Sequence, residues 1–229
     1  MTDLLTQLHH EIVACRRCQR LVDHREAVAR EKRAAYRDQH YWGKPLTGFG
    51  DRRAELLIVG LAPAAHGGNR TGRIFTGDSS GTFLMRALHQ AGFASLPDSV
   101  GRDDGLELIN AFMTAVVRCA PPDNKPLPEE VLNCRHFLMR EASLLPEVRA
   151  VLALGKIAMD GYLNALISSG LPVKRLAFRH GAEYELPGRL PRLFVSYHPS
   201  RQNTQTGRLT PEMLDEVLGR IGVFLRQPA

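Results

Sequence analysis

The sequence is sparing with several residues, and each shortage excludes something. Only four cysteines occur among 229 residues, too few for the disulfide framework of a small secreted domain. The start of the chain shows no apolar stretch of the kind that directs export, so a reducing, cytoplasmic setting is expected. No apolar run approaches the ~20 residues that cross a bilayer, so no membrane partner is expected. Neither G-x-G-x-x-G nor G-x-x-x-x-G-K-[ST] is present, which removes the commonest Gly-rich phosphate loops. There is one tryptophan. No internal repeat or low-complexity segment interrupts the chain.

What remains is an ordinary globular composition with a basic bias. Apolar residues make up 44%, and a chain of this length can bury a sizeable core as one domain over 1–229. The formal net charge is +6, carried mostly by arginine. A phosphate-bearing polyanion suits that excess. So does a modestly basic enzyme with no nucleic-acid partner.

Hydrophobic spacing sets the coarse architecture. Short apolar runs at 56–59, 111–117, 148–154 and 193–197 read as buried strands. Leu4, Leu5, Leu8 and Ile12 predict a first helix, and Phe83, Leu84, Ala87 and Leu88 another. Pro128 with Glu129 and Glu130 opens a helix running to about residue 145. Gly155 opens the next, with Tyr162, Leu163, Leu166 and Ile167 on its apolar face. Thr210 caps the last, with Pro211 first and Met213, Leu214, Val217, Leu218, Ile221 and Leu225 as its stripe. Residues 23–39 are densely charged and read as a solvated helix or loop. Residues 40–50 read as a loop whose Trp42 packs on the core or stacks on a partner. The alternation predicts an α/β/α sandwich around a central, mainly parallel four-stranded sheet. The chemically distinctive loops follow strands and should meet at the sheet's C-terminal edge.

The longest of these loops, residues 60–81, lies between the first strand and its helix. It holds His66, Asn69, Arg70, Arg73, Phe75 and Asp78 among repeated glycines, which permit positive φ and close approach to a ligand. Asp78 stands where a helix begins and can cap it; the same carboxylate could serve chemistry. Phe75 is either a core aromatic or a stacking wall. Arg118-Cys119 ends the second long strand and leads into a Pro-rich loop holding Asn124, a turn residue or a reader of a base edge. His198-Pro199-Ser200 follows the last strand, and a lone histidine there is usually structural.

The cysteines form a separate pattern. Cys15-x-x-Cys18 is followed far downstream by Cys119 and Cys134. Four thiolates could hold zinc or an iron–sulfur cluster, and a CxxC could be a redox pair. Arg16, Arg17, Arg118 and Arg135 adjoin them, and basic neighbours favour thiolate over thiol.

Taken together, four segments resemble the uracil-DNA glycosylase superfamily in its type 5 form. They are the 60–81 stretch, the four cysteines, Arg118-Cys119-Ala120-Pro121-Pro122-Asp123-Asn124-Lys125-Pro126, and His198-Pro199-Ser200. The resemblance implies an iron–sulfur enzyme with Cys15, Cys18, Cys119 and Cys134 holding a structural 4Fe–4S cluster. It implies Asp78, His198 and Asn124 as catalytic, with Phe75 stacking on a flipped base. Gly60, Ala62 and Asn124 would lie at base or sugar, Asn203 near backbone phosphate or sugar, and His66, Asn69, Arg70, Arg73 and Ser200 at the DNA face. Type 4 relatives read Gly-Glu-Ala-Pro-Gly where this chain reads Gly60-Leu61-Ala62-Pro63-Ala64. The usual water-activating position therefore lacks a polar side chain, and Asp78 is the nearest motif carboxylate. The implied protein is a monomer at the nucleoid, excising uracil and other deaminated bases such as hypoxanthine from double-stranded DNA. No lysine suggests a Schiff base, so the strand should stay intact. A non-catalytic iron–sulfur DNA-binding protein and a nucleoside-hydrolysing α/β enzyme are the competing readings.

Overall fold

The computed structural model describes residues 3–228. The elements in chain order are helices α1 (Leu4–Ala14) and α2 (Gln19–Glu31), strands β1 (Phe49–Gly50) and β2 (Leu56–Gly60), and helices α3 (Gly68–Thr71) and α4 (Ser79–Gln90). Strand β3 (Ala111–Ala115), helix α5 (Pro128–Ser143), strand β4 (Ala150–Leu154) and helix α6 (Lys156–Ser168) follow. The chain closes with β5 (Glu183–Tyr184), β6 (Arg192–Ser196), α7 (Arg201–Gln205) and α8 (Pro211–Leu225). No helix among the described residues is long and apolar enough to cross a membrane.

One sheet of order β1-β3-β2-β4-β6-β5 organises these elements. Its four inner strands are mutually parallel, in the register Ile58↔Met113, Ile58↔Leu152 and Leu152↔Phe194. These are the four expected strands. The sheet has six because β1 and β5 add antiparallel edges of two residues each. Strands that short carry no readable period, and Gly50 is exposed.

The inner strands read as unbroken apolar runs because helices cover both faces. Successive side chains point to opposite sides. Leu57 and Val59 therefore meet Leu8 and Ile12 of α1, Phe137 and Leu138 of α5 and Tyr162 and Leu163 of α6. Leu56 and Ile58 meet Leu84 and Leu88 of α4 and Leu214, Leu218 and Ile221 of α8. In the charged 23–39 region the helical alternative holds as far as Glu31. Leu21, Val22 and Arg25 give α2 a buried face.

One polar cluster lies inside the face formed by α1 and α5. The Glu141 carboxylate is sealed from water and accepts from Arg118 Nη2 at 2.8 Å and from the Gly48 N–H at 2.9 Å. The Thr114 hydroxyl donates to the same group, and His9 Nε2 lies 3.4 Å away. Burial opposes the charge, but Arg118, His9 and Thr114 outweigh it and hold the carboxyl at about 2, below its ordinary 4.5. A depressed carboxylate stabilises the fold above its unfolded pKa and loses that contribution as pH falls through the folded one. Stability should therefore decline between roughly pH 4.5 and 2. Breaking a buried pair typically costs about 3–5 kcal/mol. Glu141→Gln should accordingly lower denaturant stability by an amount of that order and flatten the acid limb of stability against pH.

Candidate active site

The C-terminal end of β2 begins the site. Phe75 has φ +50, a conformation that costs a bulky residue and persists only where surroundings enforce it. Two glycines make it possible. A Cβ on Gly60 would lie 2.6 Å from the Phe75 ring, and one on Gly81 would lie 2.3 Å from the Phe75 carbonyl oxygen. The ring is thereby seated over the end of β2, its centroid 5.8 Å from that of His198 and the planes tilted by 33°.

His198 arrives from the end of β6. Burial pushes its pKa down to about 4, so the imidazole is neutral at neutral pH. Its backbone carbonyl accepts from Asn203 Nδ2 at 2.9 Å, and Ser200 Oγ accepts from the Asn203 N–H at 3.3 Å, capping α7. Asn203 was expected at phosphate or sugar. The structure gives its amide donor to the turn that orients His198.

Beside this aromatic pair lies a cleft of about 320 Å³ whose walls include His66, Gly67, Asp78, Asn124, Arg33 and Arg201. Asp78 Oδ1 accepts from the Gly81 N–H at 2.9 Å and caps α4. The other oxygen rests against Gly67, where a Cβ would stand only 1.9 Å from it. Burial raises the Asp78 pKa, while the Gly81 and Ser80 N–H groups and Arg70 pull it back. His66 shares a 3.0 Å hydrogen bond between Nδ1 and the Tyr41 hydroxyl. Burial, with Arg33 and Arg70 nearby, lowers its pKa. Asn124 reaches the cleft from the β3 side, exposed, on two consecutive left-handed residues, Asp123 at φ +54 and Asn124 at φ +55. Ala62 is half-buried and packs against the core on the α1 and α5 face.

Three expected DNA-facing residues point inward instead. Asn69 is buried and donates to the Arg25 carbonyl at 3.2 Å. Arg70 donates to the carbonyls of His66 and Gly77 at 2.7 Å each and to Gln39, and lies 4.0 Å from the centre of the Tyr36 ring. Arg73 is fixed by Asp104, Ser99, Thr76 and the Arg102 carbonyl. A long Gly-rich loop leaves carbonyls without helical or sheet partners, and Arg70 satisfies two of them, while Asn69 and Arg73 tie the loop to α2 and to residues 99–104. The cations that face the cleft are Arg33 and Arg201, both exposed. Arg201 could be read beside His198-Pro199-Ser200; Arg33 sits in a charged run that carries no signal. Gly67 and Tyr41 were likewise not singled out.

The four cysteines, with 100 residues between Cys18 and Cys119, line one cavity. Among the described residues no three His, Cys, Asp or Glu side chains form a group that could hold a single metal ion. Of the four arginines adjoining the cysteines in sequence, Arg118 works against burial to lower a thiol's pKa: its N–H donates to Cys134 Sγ at 3.4 Å and its charge acts on the same thiol. Arg16 pairs instead with Glu26 and Arg135 with Ser168. Arg25, distant in sequence, donates to Cys119 Sγ at 3.3 Å. Burial pushes the thiols up, Cys119 to about 12 and Cys134 to about 11.

Two substitutions separate the structural duties of Asp78. Asn and Asp cap helices about equally well, and loss of a cap costs about 0.5–2 kcal/mol. Denaturant unfolding should show a loss of that size for Asp78→Ala and a much smaller one for Asp78→Asn. Equal losses would mean that the cap contributes nothing.

A family model, the uracil DNA glycosylase superfamily, matches residues 47–221. The chain is 55% identical over 207 residues to the type-5 uracil-DNA glycosylase of Thermus thermophilus, covering 90% of this chain and 92% of that one. It is 51% identical to the type-5 uracil-DNA glycosylase of Mycobacterium tuberculosis over 214 residues, 93% of this chain and 79% of the other. Identity to the type-4 uracil-DNA glycosylase of Pyrobaculum aerophilum is lower, 31% over 163 residues, or 70% and 74% of the two chains.

Proposed function

Because the chain belongs to the uracil DNA glycosylase superfamily, we propose that it excises uracil from DNA by hydrolysing the bond between base and deoxyribose. One observation carries the reading to particular residues. Phe75 faces His198 at the C-terminal edge of the sheet, and Asp78 and Asn124 share the neighbouring cleft.

In this reaction the base departs with negative charge while the sugar gains positive charge. The flipped base must be held outside the helical stack. Phe75 supplies a wall whose backbone is already fixed, and Asn124 an amide that can donate and accept at the base edge. His198, neutral, can donate an N–H toward the base without bringing a full charge. The Asp78 carboxylate is held by its cap and by contact with Gly67, so little reorganisation is needed for it to face the developing cation or a water molecule. Such preorganised electrostatics is usually the largest catalytic contribution. Arg33 and Arg201 take the phosphate-contacting role first given to Arg70 and Arg73, with His66 and Ser200 beside them. Double-stranded DNA is the substrate form proposed, with hypoxanthine a further base. The activity is that of one domain working as a monomer, and it leaves the strand intact.

The proposal includes a 4Fe–4S cluster held by Cys15, Cys18, Cys119 and Cys134. The fit rests on unmet hydrogen-bond donors. Arg25 and Arg118 are buried beside these thiols and paired with Glu26 and Glu141, yet among the described residues Arg25 Nε and both Arg118 Nε and Nη1 have no acceptor. Buried donors left unsatisfied are costly, and the thiolates and sulfides of a cluster would accept from them. The group would supply a covalent tie between the α1–α2 turn, the end of β3 and α5.

Single-turnover base release from uracil-containing duplex tests the reading. Asp78→Asn should fold normally, bind DNA and lose about 10²–10⁴-fold in rate, the range for a positioned acid–base group. In the parent the rate should climb with pH through an acid limb lying above the ordinary aspartate value of 3.8, since the carboxylate acts ionised; Asp78→Asn should erase that limb. A near-native rate in Asp78→Asn would confine the residue to capping.

Iron and acid-labile sulfide measured on anaerobically prepared protein should come to four of each per chain. Stoichiometric zinc without iron would overturn the cluster.

A further inference from the structure

A concavity larger than the Asp78 cleft lies elsewhere. It is an open groove of about 710 Å³ between α1, α2 and the loop before β1, and it shares no residue with that cleft. Its walls carry His9, His10, Arg16, Lys44 and Arg102, with Arg25 in its lining. Glu26 is the one carboxylate among them, and Arg16 already holds it at 2.5 Å. Through His9, Thr47, Gly72 and Arg102 the groove continues into a second concavity of about 360 Å³ that reaches Arg52.

The cations inside have an uneven fate. Arg52 is paired with Asp3. Lys44 and Arg102 have no carboxylate within salt-bridge distance among the described residues; they lie instead against the Trp42 ring, 5.5 and 4.8 Å from its centroid. Trp42 donates its indole N–H to the Pro45 carbonyl at 3.1 Å. The ring is thus occupied by cations and its donor is used, which leaves a base little to stack on or bond to. What the groove offers outward is exposed positive charge along a channel longer than one phosphate needs.

We propose that this groove is a second nucleic-acid site, gripping the phosphodiester backbone of DNA away from the damaged nucleotide. The proposal rests on the reading of DNA as the substrate. Lys44 and Arg102 are the contacting cations. Trp42 acts as the rigid plate that keeps the two cations apart from the protein's own carboxylates.

Each phosphate neutralised on duplex DNA contributes about −0.9 to the slope of log affinity against log salt. Lys44→Gln/Arg102→Gln should therefore make the slope on a long undamaged duplex shallower by about 2. Single-turnover base release from uracil-containing duplex at saturating enzyme should stay unchanged, since neither side chain lines the cleft. The unaltered chain provides a test that needs no folded variant. Acetylation of Lys44 should slow at least several-fold when duplex is bound, while Lys156 on α6, paired with Asp160, should react as before. An unchanged slope, or Lys44 acetylated equally with and without DNA, would overturn the groove. Equal protection of Lys44 by polyglutamate would overturn it too, by making the site one for acidic polypeptide. Failure of the unaltered protein to release uracil would instead refute the excision reading and leave the binding result standing.

Discussion

A carboxylate cannot sit in an apolar layer unless something compensates its charge, and Glu141 is compensated by Arg118 from the end of β3. Most of the arrangement on the α1 and α5 face follows from that pair. It fixes the rotation of α5, which carries Cys134, and the exit of β3, which leads directly into Cys119 and then the loop of Asn124. The same carboxylate takes the Gly48 N–H, placing the turn into β1, and faces His9 of α1. Gly48 is pressed so closely that a Cβ there would lie 2.4 Å from Phe112 and 2.8 Å from Glu141 Oε1. The pair thus links the cysteine region to the sheet edge that holds the cleft.

The stretch after β2 solves a different problem. It must seat an aromatic ring at the end of β2 and also hold a carboxylate in a fixed place. Both demands are met by removing side chains. Gly60 and Gly81 make room for Phe75 in a left-handed backbone, and Gly67 lets Asp78 lie flat against the main chain. Asp78 is a helix cap and a cleft carboxylate at once, and the two roles use different oxygens. The cap bond through Oδ1 is what leaves Oδ2 with one direction to point.

Arginine is divided between the interior and the surface in a way that composition conceals. Arg25, Arg70, Arg73 and Arg118 are almost wholly buried. They tie loops together through carbonyls, Asp104, Glu141 and a thiol, uses that suit a planar fork with several donors. The charge available to a polyanion comes from others, among them Arg33, Arg201, Lys44 and Arg102. A net charge of +6 therefore describes the molecule's exterior poorly unless these internal pairs are first set aside.

The sequence by itself determined the layered α/β architecture. Unbroken apolar runs that alternate with helical stripes can only be strands covered on both faces, and Pro211 after Thr210, or Asp78 before Ser79, marks a helix start through local chemistry. The sequence also supplied the family, through motif residues whose order along the chain is enough. It could not supply the two edge strands, because two residues such as Glu183 and Tyr184 show no period. It could not tell whether Arg70 and Arg73 face DNA or turn inward, to the loop's own carbonyls for Arg70 and to Asp104 and Ser99 for Arg73, since both uses call for the same residue. Which arginine meets which thiol was decided only by the fold. Arg25 reaches Cys119 across 94 positions, while Arg16, beside Cys15, turns away to Glu26. Charge and residue type are local properties and can be read along the chain. Direction and burial arise when distant segments pack, and tertiary structure alone sets them.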